Sequence, residues 1–242
     1  MQKPVAQCRA DVRARNGLAS DAVLVVGVDR LDYTKGILER FLAVERFLEL
    51  EPEWIGKFTF VEIAAPSRSS IDEYQNFETR VRALVRRIND RCSVGGYEPI
   101  NLKIELHEPD QVYEYYRASE VCFVSSLHDG MNLVAKEFVA SRDDERGVLV
   151  LSQFTGASRE LPEALIVNPY DVDQSAAALK LALTMPVAEQ RDRMHSMRGQ
   201  IQEFNVYRWA GRMLFDAALM RTRSRLLERA DRERKLSSPR SL

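Results

Sequence analysis

The order of apolar runs predicts an α/β fold, a parallel sheet with helices on both faces. Two observations carry that expectation. Strand-like and helix-like segments alternate along most of the chain, and the strand-like runs are short and rich in Val, Ile, Leu and Phe, mostly without polar alternation. Strands buried on both faces have that composition, and parallel strands need crossover connections, usually helices, to join them. With 242 residues the chain is long enough for a full hydrophobic core, as one large domain or two small ones.

The first apolar run spans 22–28 and precedes a helix-periodic segment over 37–51. A strand over 57–64 leads to a long helix over 70–92, whose surface is largely Glu, Arg and Asn. The basic stretch 80–91 within it fits a solvated face laced with i,i+4 ion pairs better than an RNA-binding face. Strands over 101–105, 121–125, 147–152 and 164–167 come next, with helices over 111–118 and 131–142 among them. Helices over 174–184, 188–203 and 206–229 follow, and the charged, Ser- and Pro-containing end at 230–242 is expected to be disordered. The sequence contains no internal repeat.

Composition narrows the function. The apolar fraction of 45% and charged fraction of 29% are those of an ordinary soluble protein, and a net charge of −1 gives no bulk attraction to nucleic acid or membrane. No apolar run approaches the roughly 20 residues that span a bilayer, and residues 1–16 carry no signal-peptide core. Cys8, Cys92 and Cys122 are scattered without metal-ligand spacing, which fits reduced thiols in a cytoplasmic setting. Three widely spaced histidines do not suggest a zinc site; His128 and His195 are expected to be structural. No cofactor is expected, since the chain has neither a G-x-G-x-x-G after its first strand nor a Walker-type loop.

Two strand–loop–helix junctions carry the chemistry. In Gly27-Val28-Asp29-Arg30-Leu31-Asp32-Tyr33-Thr34-Lys35-Gly36, Arg30 and Lys35 fall in the loop between the first strand and the next helix. Open α/β sheets bind ligands at the carboxyl ends of their strands, and two cations beside a helix start suit a phosphate or diphosphate. The same segment taken alone is equally consistent with a surface turn bearing two solvated cations. In His128-Asp129-Gly130-Met131-Asn132-Leu133-Val134-Ala135-Lys136-Glu137, Gly130 permits close backbone approach to a ligand. The N–H groups of Asn132, Leu133 and Val134 are expected to open a helix. Glu137, one turn on, is placed to accept from a vicinal diol such as ribose, and Asp129 to grip sugar hydroxyls. Either acid alone is as readily an N-cap or an exposed helix residue. Jointly the two loops supply the parts needed to hold a nucleoside diphosphate sugar.

Both motifs resemble signatures of the trehalose-6-phosphate synthase family, as do Ala65-Pro66-Ser67-Arg68, the run 147–157 and the run 164–171. The resemblance extends from about residue 23 to about residue 226. It implies the C-terminal domain of a two-domain, Rossmann-like retaining glycosyltransferase fold, with a long C-terminal helix. It also implies transfer of glucose from UDP-glucose to glucose 6-phosphate without a metal. Arg30 and Lys35 then bind the donor diphosphate; Asp129, Gly130, Met131 and Asn132 hold the glucose; and Leu133, Val134, Ala135, Lys136 and Glu137 hold the nucleotide, with Glu137 on the ribose. Arg30, Lys35 and Asp129 are the expected catalytic residues, Arg68 meets the acceptor phosphate, and the backbone at His107 meets the uracil.

The organisation expected on this basis is a lead-in over 1–20, a UDP-sugar-binding domain over 21–204, a helix over 205–229 and a tail over 230–242. The family's other domain, with its Gly-Gly loop over the diphosphate and most acceptor contacts, has no counterpart motifs here. The chain is therefore expected to be the donor-binding half, completed by an N-terminal-half polypeptide or a homo-oligomer. The alternative is a non-catalytic regulatory or structural subunit of a synthase complex.

Overall fold

Among the described residues six apolar runs form six strands, and all of them pair in parallel in the order β3-β2-β1-β4-β5-β6. The computed structural model describes residues 3–67 and 72–237, with 229–237 described by their backbone alone. The chain runs through α1 (Val5–Arg15), β1 (Val23–Arg30), α2 (Ile37–Leu50), β2 (Phe58–Ala65) and α3 (Asp72–Cys92). It continues through β3 (Ile100–Lys103), α4 (Pro109–Ala118), β4 (Val121–Val124), α5 (Leu133–Ser141) and β5 (Val148–Ser152). β6 (Leu165–Val167), α6 (Val172–Thr184), α7 (Val187–Glu203) and α8 (Val206–Ser237) complete it. Two compact units are distinguishable, Met1–Gly199 and Gln200–Leu242.

Chain direction explains the layers of the first unit. From β1 the chain steps to β2 and then β3, and returns to β4 before stepping outward to β5. Right-handed crossovers place helices that step in opposite directions on opposite faces. Accordingly α2 packs against α3 and α6, whereas α4 packs against α1 and α5. The larger apolar core lies on the α2 side, where Phe41, Phe47, Phe58, Phe60 and Ile88 are all fully buried. Burying side chains of this size stabilises by about 1.5–3 kcal/mol each before entropy is counted.

Strand order reverses between β1 and β4, which pair at Val25 with Val121 and at Val26 with Cys122. Loops leaving neighbouring strands in opposite directions open a crevice at their carboxyl ends. The β1–α2 loop and the β4–α5 loop, which carry the two motifs, both start there. Gly36 makes their close approach possible. Its φ of +66° favours glycine, and a Cβ at this position would stand 2.1 Å from the Ser125 carbonyl oxygen.

Several expectations are corrected. Within the expected lead-in, residues 5–15 form a packed helix that is not among those expected from the sequence: Cys8 and Val12 are fully buried, and Arg13 donates to the Ala22 carbonyl at 2.9 Å and to Glu120 at 3.0 Å. The α8 helix, Val206–Ser237, extends into the stretch 230–242 that was expected to be a separate tail. Its charged end is built of good helix formers and lacks Gly or Pro until Pro239. Arg30 is the last residue of β1, in register with Ala65, rather than part of the loop. Helix α5 starts at Leu133, not 131, because Asn132 has φ +74° and caps the helix through its side chain. Arg68 lies outside the described residues.

Replacing Gly36 with alanine is expected to lower unfolding stability by about 2–4 kcal/mol, from left-handed strain plus the clash with Ser125. Urea unfolding of the two proteins measures this, and equal midpoints would refute the packing role.

Candidate functional site

The β1–α2 loop is held by its own acid. Asp32 accepts from the Thr34 N–H at 2.9 Å and from the Thr34 hydroxyl at 2.8 Å, closing the short 3-10 turn Tyr33–Lys35. Burial raises the Asp32 carboxyl, but these bonds and the nearby Arg30 charge outweigh it and leave the group below its usual value. The turn delivers Lys35 to the crevice, where its Nζ lies 2.6 Å from Asp129 Oδ2. Arg30 is exposed at the end of β1.

The β4–α5 loop is organised around Asp129 and Asn132. Asp129 Oδ1 accepts from the Met131 N–H at 3.3 Å, and Oδ2 from the Asn132 side-chain amide at 3.2 Å. Asn132, nearly buried, also donates to Ser126 Oγ at 3.4 Å and accepts from the Ala135 N–H at 2.9 Å. That cap leaves the Leu133 and Val134 N–H groups at the open end of the helix, where the macrodipole favours an anion. Around Asp129, burial pushes the carboxyl up, while the Lys35 ammonium and the Met131 and Asn132 donors pull it below its usual value. An ionised carboxylate facing a cation is the resting state.

Backbone bonds stitch the loops together. Leu127 N–H donates to the Thr34 carbonyl at 2.8 Å, and Ser125 Oγ donates to the Gly36 carbonyl at 2.7 Å. From the far side the segment after β5 closes on the same loop: Gly156 and Ala157 donate to the Asp129 and Met131 carbonyls at 3.0 and 2.8 Å. Gly156 has no room for a side chain, since a Cβ would meet the Gly130 carbonyl oxygen at 2.1 Å. The run 147–157 noted in the sequence thus serves the site by bracing its backbone.

The remaining candidates fall into two groups. Glu137, half-buried on α5, accepts from the buried Tyr116 hydroxyl at 3.3 Å, which orients its carboxylate. Met131 and Leu133 are exposed at the helix start and Gly130 has open space about it. Ala135 is fully buried with its N–H taken by Asn132, and Lys136 is paired with Glu160 at 2.7 Å. His107 follows β3, two strands from β1, with its ring 5.9 Å from that of Tyr115. Its imidazole nitrogens face Glu105.

Some contributors were not singled out in the sequence: Ser125, Ser126, Tyr116, Gly156 and, below the loops, Arg40. Arg40 is fully buried, with Nη2 2.5 Å from Asp29 and Nη1 2.8 Å from Glu62. An Arg and a Glu embedded in apolar segments were the available signal, because neither charge is buried without a partner. Asp29, within the first motif, therefore points into the protein.

Asp129 has a depressed carboxyl, so its contribution to stability is present above the unfolded value of about 3.9 and lost as pH falls through the folded one. Asp129→Asn is expected to be less stable than wild type above about pH 4, with the two curves converging below it. Urea midpoints measured across that range test the sign; parallel curves would contradict it.

The glycosyltransferase family 20 model matches residues 1–218. Trehalose-6-phosphate synthase of Klebsiella pneumoniae is 43% identical over 201 residues, covering 83% of this chain and 42% of that protein. A Burkholderia xenovorans alpha,alpha-trehalose-phosphate synthase (UDP-forming), solved in complex with glucose-6-phosphate, superposes with a TM-score of 0.82 at 40% identity. That match covers 88% of this chain and 48% of the other. An E. coli structure bound with UDP-2-fluoro glucose gives a TM-score of 0.81 at 38% identity, with the same coverage. The chain thus spans less than half the length of these relatives. Across the span it does share, the parallel sheet, the switch-point loops and the matched model agree, and the chain belongs to glycosyltransferase family 20.

Proposed function

We propose that this chain supplies the donor-binding half of a UDP-forming trehalose-6-phosphate synthase, which moves glucose from UDP-glucose to glucose 6-phosphate. The observation that carries this reading is the Lys35–Asp129 pair at 2.6 Å, set beside the start of α5. A cation suited to phosphate lies next to a carboxylate suited to sugar hydroxyls. A ligand in which sugar and diphosphate are joined satisfies both at once, with the bond between them over the pair.

The course of the reaction is the one the family resemblance implies. As the glucosyl group departs it takes on oxocarbenium character, and negative charge builds on UDP. Lys35, Arg30 and the Leu133 and Val134 N–H groups face that charge and lower the barrier by preorganised electrostatics. Asp129 and the Gly130–Asn132 backbone hold the sugar, and Glu137, oriented by Tyr116, accepts from the ribose hydroxyls. The uracil lies toward His107. Attack comes from the same face, with the donor phosphate taking the acceptor proton, so the half-site needs no protein nucleophile. The acceptor phosphate is assigned to Arg68, and the other cleft wall to an N-terminal-half polypeptide or a homo-oligomer.

Lys35→Ala is expected to weaken UDP binding by about 1.5–3 kcal/mol through loss of a charge-assisted contact. Calorimetry giving unchanged affinity would sink the diphosphate role. Glu137→Gln is expected to cost more against UDP than against pyrophosphate, because only the nucleotide carries a diol; equal losses argue against the ribose assignment.

A further inference from the structure

Beneath the two loops lies a buried charged cluster that the transfer chemistry does not use. Arg40 of α2, Asp29 of β1 and Glu62 of β2 are all at or below 3% side-chain exposure. Gly27 makes space for them, since a Cβ there would stand 2.1 Å from Arg40 Nη1 and 2.3 Å from Glu62 Oε2. The guanidinium reaches upward as well as sideways. Its Nε donates to Ser125 Oγ at 2.9 Å, and its Nη2 lies 3.4 Å from the carbonyl of Lys35 itself. Ser125 in turn donates to the Gly36 carbonyl, so one cation fixes the backbone on which the Lys35 side chain is hung.

We propose that Arg40 is a positioning residue for Lys35, and that the proton on Glu62 tunes how firmly that loop grips a diphosphate. This rests on the diphosphate reading of the site. One cation faces two carboxylates, so the cluster balances only while one of them is protonated. Burial raises both carboxyls, with Lys35 as well as Arg40 opposing the rise at Asp29. Glu62 is the proton's place: its Oε1 has no hydrogen-bond partner among the described residues, and its bond to Arg40 is the longer, 2.8 Å against 2.5 Å for Asp29. Burial pushes Glu62 up to about 7, with Arg40 opposing and Asp29 reinforcing the rise. Cys122 on β4 also faces the cluster, and burial raises its thiol, keeping it neutral. When Glu62 releases its proton to solvent the cluster gains a net negative charge. That charge repels a bound diphosphate and pulls Arg40 away from the Lys35 carbonyl. Affinity therefore falls as pH rises through neutrality.

Calorimetry on the full chain with UDP-glucose reads this directly, because its diphosphate is esterified at both ends and does not titrate near neutrality. Wild type is expected to lose about five- to tenfold in affinity between about pH 6 and about pH 8, the effect of a unit charge roughly 10 Å away. Glu62→Gln, neutral throughout, is expected to keep its low-pH affinity across that range; groups common to both proteins cancel in the comparison. Arg40→Lys, which loses the forked geometry, is expected to bind about tenfold more weakly at every pH. A Glu62→Gln profile parallel to wild type overturns the proposal even where Arg40→Lys does not fold. Lys35→Ala separates the two levels. Undiminished affinity in that variant removes the diphosphate reading and the relay with it. Weak binding in Lys35→Ala, combined with a parallel Glu62→Gln profile, removes the relay alone.

Discussion

Arg40 is a fully buried cation, and its neutralisation constrains four elements at once. It sits on α2 and bonds to β1 through Asp29, to β2 through Glu62 and to the end of β4 through Ser125. Taking a guanidinium and two carboxyls out of water costs several kcal/mol per ion, which the mutual attraction only partly returns. What the cluster contributes is geometry. An apolar replacement would fill the same volume, but would take the Nη2 donor from the Lys35 carbonyl and the Nε donor from the Ser125 hydroxyl that holds the Gly36 carbonyl. Removal of one partner is another matter, since it strands a charge in the core at a cost on the order of 3–5 kcal/mol.

From that anchor the two loops are assembled by backbone contacts more than by the Lys35 and Asp129 side chains. At Gly36 and Gly156 a Cβ would meet the backbone carbonyl oxygen of another segment at 2.1 Å. One lets the β1–α2 loop sit against β4, and the other lets the segment after β5 brace the Asp129 loop. Lys35 and Asp129 then meet at 2.6 Å although 94 residues separate them in sequence. The open crevice at the strand-order reversal is a general property of doubly wound sheets. The cation, the carboxylate and the capped helix start are what this chain places in it.

The element order, the parallel sheet and the two motif-bearing junctions were legible in the chain, because doubly buried strands and helical periodicity leave strong one-dimensional patterns. The family resemblance was legible for the same reason: its motifs are contiguous. Less legible was the division of labour inside each motif. Asp29 stands one residue from Arg30, yet alternation along β1 sends its carboxyl into the core while Arg30 is exposed. Ala135 and Lys136 lie within the second motif, but the Asn132 cap takes the N–H of Ala135, and Glu160 pairs with Lys136.

By itself, then, the sequence determined the fold class, the approximate position of every strand and the two places where chemistry gathers. Those are local properties, written in propensity and periodicity over a handful of adjacent residues. Tertiary structure alone decided that α1 is a packed helix, that α5 begins after Asn132, and that Arg40, Ser125, Tyr116 and Gly156 support the site. Except for the Asn132 cap, whose partners are local, these depend on partners well along the chain: Glu120 for Arg13, Glu62 for Arg40, and Glu137 for Tyr116. A buried charge or a missing Cβ acquires its meaning from what stands opposite it, and no stretch of sequence contains both sides.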